Sequence, residues 1–236
     1  MPQMRLDKLL SHLNCGSRKE VQALIRAGRV SVDVQKDPAF KVDPDRSQTA
    51  VDGTVQRYRA QRYYMLNKPM GVITASRDER HDTVLELFPA ELRRGLFAVG
   101  RLDKDTEGLL LLTDDGELTH RLLSPRYHVD KVYYAKVEGV PNAADAEAFA
   151  DGLLLEDGLQ CLPAKLEPLG GDACLVTLRE GKFHQVKRML ASRGKPVRYL
   201  KRLSMGPLRL EDTLLPGQCR ELSPEELAAV RSACML

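Results

Sequence analysis

Apolar residues near the start of the chain recur with helical period. Leu6, Leu9, Leu10 and Leu13 stand at i, i+3, i+4 and i+7, which predicts an amphipathic helix closed by Gly16. A second helix is expected at once: Ser17 and Glu20 have capping-box spacing, Val21, Leu24 and Ile25 supply a buried stripe, and Gly28 ends it. Val30, Val32 and Val34 then alternate with Ser31 and Asp33, the period of a short half-exposed strand. From Val42 to Gln61 the composition turns polar, with Pro44, Asp45, Asp52, Gly53, Arg57 and Arg59, and reads as turns ending in a short linker. Beyond it, strand-like runs (Tyr63 to Leu66, Val132 to Val137, Ala173 to Leu178) are interspersed with helix-like ones (Asp145 to Ala150, His184 to Ser192, Pro224 to Ala233). That mixture predicts an α+β fold with a largely antiparallel sheet rather than regular βαβ winding, in a chain that divides near residue 60.

One stretch joins this pattern to candidate chemistry. Leu96 to Val99 and Leu109 to Leu112 are short apolar runs bounded by Gly95, Gly100, Gly108 and Gly116, so they are expected as buried strands. Between them Asp103 occupies a loop, flanked by Arg101 and Lys104. Clefts form at strand ends, and an acid set there among cations is a candidate reactive group. The same residues would equally suit a plain hairpin, because loops collect charge.

Composition narrows the function classes. A net charge of +3 over 236 residues makes any polyanion site a matter of local clustering. Such clustering runs from Arg179 to Arg209, where Arg179, Lys182, Lys187, Arg188, Arg193, Lys195, Arg198, Lys201, Arg202 and Arg209 face only Glu180, and it suggests an anion-binding surface. Five scattered cysteines without a CxxC pair predict reduced thiols in a cytoplasmic protein. No charged-then-apolar leader opens the chain, and the longest pure apolar run, Leu109 to Leu112, is far below the roughly 20 residues of a membrane helix. Neither a P-loop nor GxGxxG is present, and the histidines are too dispersed for an HExxH-like site, so neither a metal nor another cofactor is expected.

The run from Gly100 to Gly116 resembles the signature GRLDxxTxGLLLLTxDG of the RsuA-type pseudouridine synthases, met at Gly100, Arg101, Leu102, Asp103, Thr106, Gly108 to Thr113, Asp115 and Gly116. Three further segments are similar to that family: LNKPMG with Lys68, Pro69 and Gly71, to which a structural role is ascribed; DKVYYAKV with Lys131 and Tyr133; and LREGKFHQVKRML from Glu180 to Met189. The resemblance implies Asp103 as nucleophile, Tyr133 stacking on the target uracil, Lys187 as the cation paired with Asp103, and Leu200 beside the base. Arg101 and Arg188 are expected to bind substrate. Tyr134 is expected on the opposite strand face, in the core. The first fifty residues resemble the S-four RNA-binding domain, in which Arg5, Arg18, Lys19, Arg26 and Arg29, opposed only by Asp7 and Glu20 among the helix-pair residues, would grip phosphates.

The resemblance therefore implies an RNA-binding domain over residues 1–55, a linker over 56–62 and a pseudouridine synthase domain with a central cleft over 63–236. The activity implied is isomerisation of a uridine in 16S rRNA, by a cytoplasmic monomer acting on an assembling small-subunit particle, without metal or cofactor. A 23S rRNA enzyme of the same family and a non-catalytic ribosome-assembly protein are the alternatives.

Overall fold

The computed structural model describes residues 4–13, 15–32, 37–42, 49–56 and 61–236. The chain separates into two compact units, Met1–Gln61 and Arg62–Leu236. In the first, strand β1 (Met4–Arg5) leads into helices α1 (Leu6–His12) and α2 (Arg18–Arg26), followed by strands β2 (Val30–Ser31), β3 (Lys41–Val42), β4 (Thr49–Val51) and β5 (Thr54–Gln56). The predicted stripes form the core of this unit: Leu6, Leu9, Leu10, Val21 and Ile25 are fully buried against Val30, Val32 and Val42. Glu20 closes a capping box, accepting the Ser17 N–H at 2.7 Å while Ser17 Oγ accepts the Glu20 N–H.

Two expectations change here. The polar stretch read as turns contains a hairpin, β4 paired with β5 about Asp52-Gly53, whose φ angles of 49° and 78° are the left-handed pair a two-residue turn needs. The strand expected from Val30 to Val34 ends at Ser31, and the chain bends at Val32; Val34 lies outside the described residues, as do Pro44, Asp45, Arg57 and Arg59.

The second unit is built on a nine-stranded sheet. Its elements are β6 (Tyr63–Lys68), α3 (Ala90–Arg93), β7 (Phe97–Ala98), β8 (Glu107–Thr113), α4 (Gly116–Leu123), a 3-10 turn (Pro125–Tyr127), β9 (Lys131–Val137), α5 (Ala143–Asp151), β10 (Lys165–Gly170), β11 (Ala173–Leu178), α6 (Gln185–Ser192), β12 (Val197–Met205), β13 (Leu208–Arg209), β14 (Cys219–Glu221) and α7 (Pro224–Ala233). The strand order is β10-β11-β9-β12-β8-β6-β14, with β13 added to β12 and β7 to β8. All pairings are antiparallel except β8 with β12. The run Leu109 to Leu112 is apolar on every residue because β8 is covered on both faces. Leu110 and Leu112 join Tyr64, Tyr133, Leu200 and Phe149, whereas Leu109 and Leu111 join Tyr63, Met65, Leu118 and Val230.

Gly108 sets how closely β12 approaches β8. Its φ is +105°, and a Cβ there would lie 2.2 Å from the backbone oxygen of Arg202. Just past β8 stands α4, a helix that is not among the expected elements. Asp115 starts that helix by accepting the N–H groups of Glu117 and Leu118 at 3.1 and 3.0 Å, and Tyr63 donates its hydroxyl to the same carboxylate at 2.8 Å.

Candidate active site

Asp103 lies in the connection between β7 and β8, and the LNKPMG segment pins that connection from below. Lys68, at the end of β6, is fully buried and donates to the carbonyls of Thr106 at 2.9 Å, Pro69 at 3.0 Å and Lys104 at 3.4 Å. Burial pushes its ammonium down to about 8, against the pull of Asp103, Asp105 and Glu107. The Gly71 N–H donates to Lys104 O at 2.8 Å, and Thr74 Oγ1 both donates to Leu102 O and accepts its N–H. These bonds leave the backbone on either side of Asp103 little freedom, while its side chain stays 27% exposed.

Facing the loop, α6 brings up Lys187. Its Nζ is 3.1 Å from Asp103 Oδ2, and it also donates to Asp105, whose carboxyl it holds below the usual range. His184, at φ 48° immediately before α6, presents Nε2 at 3.4 Å from Asp103 Oδ1 and is stacked at 3.8 Å against Phe183, which is 73% exposed. Asp103 thus has two nitrogen-bearing neighbours from one turn of chain. The shared face of β9 and β12 supplies Tyr133 and Leu200, buried among apolar residues yet lining the same cavity of about 600 Å3 as Asp103, Arg101, His184 and Lys187.

The site residues expected from sequence divide accordingly. Asp103, Tyr133, Lys187, Leu200 and Arg101 meet at the cavity. Arg188 does not line it: one residue further round α6, it pairs with Asp157 at 2.5 Å. Tyr134 does leave the opposite face of β9, but it is half-buried and packs edge-to-face on Tyr199 at 6.2 Å, outside the apolar core, because neighbouring Lys136 and Lys201 are polar. His184 and Asp105 were assigned no role; both sit within the recognised motifs, and only the pairing distances single them out.

The basic stretch changes character in three dimensions. Arg179 pairs with Asp130, Lys182 with Glu180, Lys187 with Asp103 and Asp105, Arg188 with Asp157, Arg193 and Lys195 with Asp145, and Arg198 with Glu138. Lys201, Arg202 and Arg209 have no carboxylate partner among the described residues. In the first unit, Arg5 is engaged twice by Asp7, Arg18 stands 3.7 Å from the same carboxylate, and Arg29 is paired with Asp52, an acid from outside the helix pair. Lys19 and Arg26 are exposed.

The model of a family described as RNA pseudouridylate synthase matches residues 62–192, and that of the S4 domain matches residues 4–46. The chain is 47% identical over 231 residues to the RNA pseudouridine synthase YtzG of Bacillus subtilis, covering 95% of this chain and 97% of that one. It is 43% identical over 230 residues to ribosomal small subunit pseudouridine synthase A of Pseudomonas aeruginosa and 40% over 231 residues to that of Escherichia coli, covering 96% of this chain and 100% of each. A crystal structure of a pseudouridylate synthase matches with a TM-score of 0.70 and 32% identity, covering 96% of this chain and 99% of the other. With the family model spanning more than half of its length and relatives matching from end to end, the chain belongs to the RNA pseudouridylate synthases.

Proposed function

We propose that the chain isomerises a uridine of 16S rRNA with Asp103 as nucleophile, and that it acts as a cytoplasmic monomer on an assembling small-subunit particle. The observation that carries the chemistry is the Asp103–Lys187 contact of 3.1 Å at the cavity that Tyr133 and Leu200 also line. Isomerisation replaces the N1–C1′ bond by C5–C1′, with a proton lost from C5 and one gained at N1; nothing is oxidised and no water is consumed. A carboxylate is therefore the central requirement, as nucleophile or as the base that takes the C2′ proton, and the adjacent Lys187 ammonium orients it. Tyr133 holds the loosened uracil by stacking, worth about 1–3 kcal/mol per base. Leu200 closes the other side, and Arg101, exposed at the mouth, meets the RNA backbone.

The target base must leave its helix before a carboxylate can reach its glycosidic bond, which favours loops and incompletely folded particles. The small-subunit assignment rests on the end-to-end similarity to enzymes named for that subunit. In this reading residues 1–55 form a domain that orients the enzyme on RNA through phosphates, with Lys19 and Arg26 exposed and Arg5, Arg18 and Arg29 shared with carboxylates. The experiment is tritium release from 5-tritiated uridine in 16S rRNA, an early small-subunit particle, 23S rRNA and tRNA at equal salt. Release from the first two and its abolition by Asp103→Asn, with folding and RNA binding retained, is the expected outcome. Preference for 23S rRNA would transfer the substrate to the large subunit, and turnover by Asp103→Asn would move the chemistry to another carboxylate.

A further inference from the structure

Among the described residues, no carboxylate forms an ion pair with two buried cations that stand beside Tyr133. Lys131 precedes Tyr133 by two positions on β9, so both side chains leave the same sheet face; Lys131 is 4% exposed. Arg202, 2% exposed, is the register partner of Tyr133 across β12 and follows Leu200 on that face. Both cations line the cavity. Arg202 Nε donates to Leu109 O at 2.7 Å, but its buried Nη2 has no hydrogen-bond partner among the described residues, and Lys131 Nζ donates to Val129 O at 3.1 Å. The nearest acid in sequence, Asp130, is held by Arg179 at 2.8 Å. Burial first, then the like charge of Arg202, pushes the Lys131 ammonium down to about 8, against the opposing charge of Asp130. A buried charge left unpaired is costly, and among the described residues carboxylates pair with seven cations between Arg179 and Arg209 but with neither Lys131 nor Arg202.

We propose that Lys131 and Arg202 form an anion subsite in the cavity wall that receives the carbonyl oxygens of the target uracil and stabilises the negative charge carried by the base when its bond to ribose breaks. The proposal rests on the reading of Asp103 and Tyr133 above. As N1–C1′ breaks, its electron pair leaves with the base, giving a uracil anion whose charge spreads onto O2 and O4, while C1′ is taken by the Asp103 carboxylate or left in a glycal by loss of the C2′ proton. C5 of the anion then bonds to C1′, displacing the carboxylate or with the C2′ proton restored; C5 gives up its proton and N1 gains one. Charge is greatest between these steps, so donors already in place favour that state over bound uridine. A backbone phosphate is the poorer fit, since both cations are almost wholly buried beside a stacking face and Leu200.

The test uses the full chain and 16S rRNA transcripts made with uridine or 5-fluorouridine, whose fluorine stabilises the departing anion. Single-turnover loss of the original nucleoside at the target is read by nuclease digestion and mass spectrometry. Lys131→Met should slow the uridine reaction by about 100-fold, the scale for loss of one preorganised donor, and the 5-fluorouridine reaction by about 10-fold or less. Lys131→Arg should restore most of the rate. RNA affinity and its salt dependence should be unchanged. Equal deficits on both transcripts would assign Lys131 a structural role and overturn the proposal, as would a fall of about 0.7–0.9 in the log-log salt slope, the mark of a phosphate contact. If Lys131→Met fails its thermal melt, Lys131→Gln gives the same comparison. Asp103→Asn is run alongside: full activity there removes the underlying reading, whereas an inactive Asp103→Asn with a fully active Lys131→Met removes only the subsite.

Discussion

At the residue scale, position on the fold decides which charged groups are candidates for chemistry and which are structural. Asp103 and Asp115 belong to one sequence signature, yet Asp115 is 5% exposed, caps α4 and accepts from Tyr63, whereas Asp103 opens on the cavity against Lys187 and His184. Asp105 shares Lys187 but is 67% exposed at the side chain, so it is better suited to holding the ammonium than to meeting a buried base. For Tyr133 the ring and the hydroxyl are separable. Tyr133→Ala, which removes the ring, should weaken turnover by one to two orders of magnitude, in line with about 1–3 kcal/mol for a stacked base. Tyr133→Phe should retain RNA affinity, and its kcat on 16S rRNA is the discriminating measurement: an unchanged value means stacking suffices, and a large drop gives the hydroxyl a proton-transfer role.

At the scale of elements, two local devices hold the functional segments. One is Gly108, absent from any helix or turn pattern as a requirement, which lets β12 come against β8 and so brings Arg202 and Leu200 to the cavity. The other is Asp7 in the first turn of α1, fully buried at its side chain. The hydrogen bond from Arg5 holds its carboxyl down to about 2, with Gln22 and Arg18 adding to it and burial opposing. Because the folded value lies below the ordinary carboxylate value of 3.8, the stabilisation is fully present above pH 3.8 and disappears as pH falls through about 2. Asp7→Asn should therefore cost the helix pair about 1–2 kcal/mol near neutral pH, discounted for the exposed arginines. Amide exchange of α1 and α2 should show the two proteins converging on acidification. A constant difference down to pH 2 would contradict the assignment.

For the whole molecule, each of the two units carries its own apolar core. A chain lacking residues 1–61 should therefore melt cooperatively and bind 16S rRNA more weakly. If Arg18, Lys19 and Arg26 each hold a phosphate, its salt slope should fall by about 2–3 units, at about 0.7–0.9 per phosphate. Unfolding would refute the independence of the larger unit, and unchanged affinity would remove the orienting role of the smaller one. The slope retained by the larger unit should be modest, since most cations between Arg179 and Arg209 already face carboxylates. Among the described residues no helix is long and apolar enough to cross a membrane.

What could be read from the sequence alone was whatever short-range pattern dictates. The helical stripes of α1 and α2, the Ser17–Glu20 cap, the buried run of β8 and the placement of Asp103 in the β7–β8 connection all depend on residues a few positions apart. The Asp52-Gly53 hairpin and the α4 cap at Asp115 carried equally local signals that a reading by composition passed over. Contacts across long separations were of another kind. Lys187 reaches Asp103, as the family resemblance implies, and also Asp105; Arg188 turns away to Asp157, and Asp145 neutralises Arg193 and Lys195, through pairings that no spacing encodes. Only the packed sheet decides which charges meet a carboxylate and which, like Lys131 and Arg202, are buried with none among the described residues, because burial and pairing belong to the assembled neighbourhood rather than to the side chain.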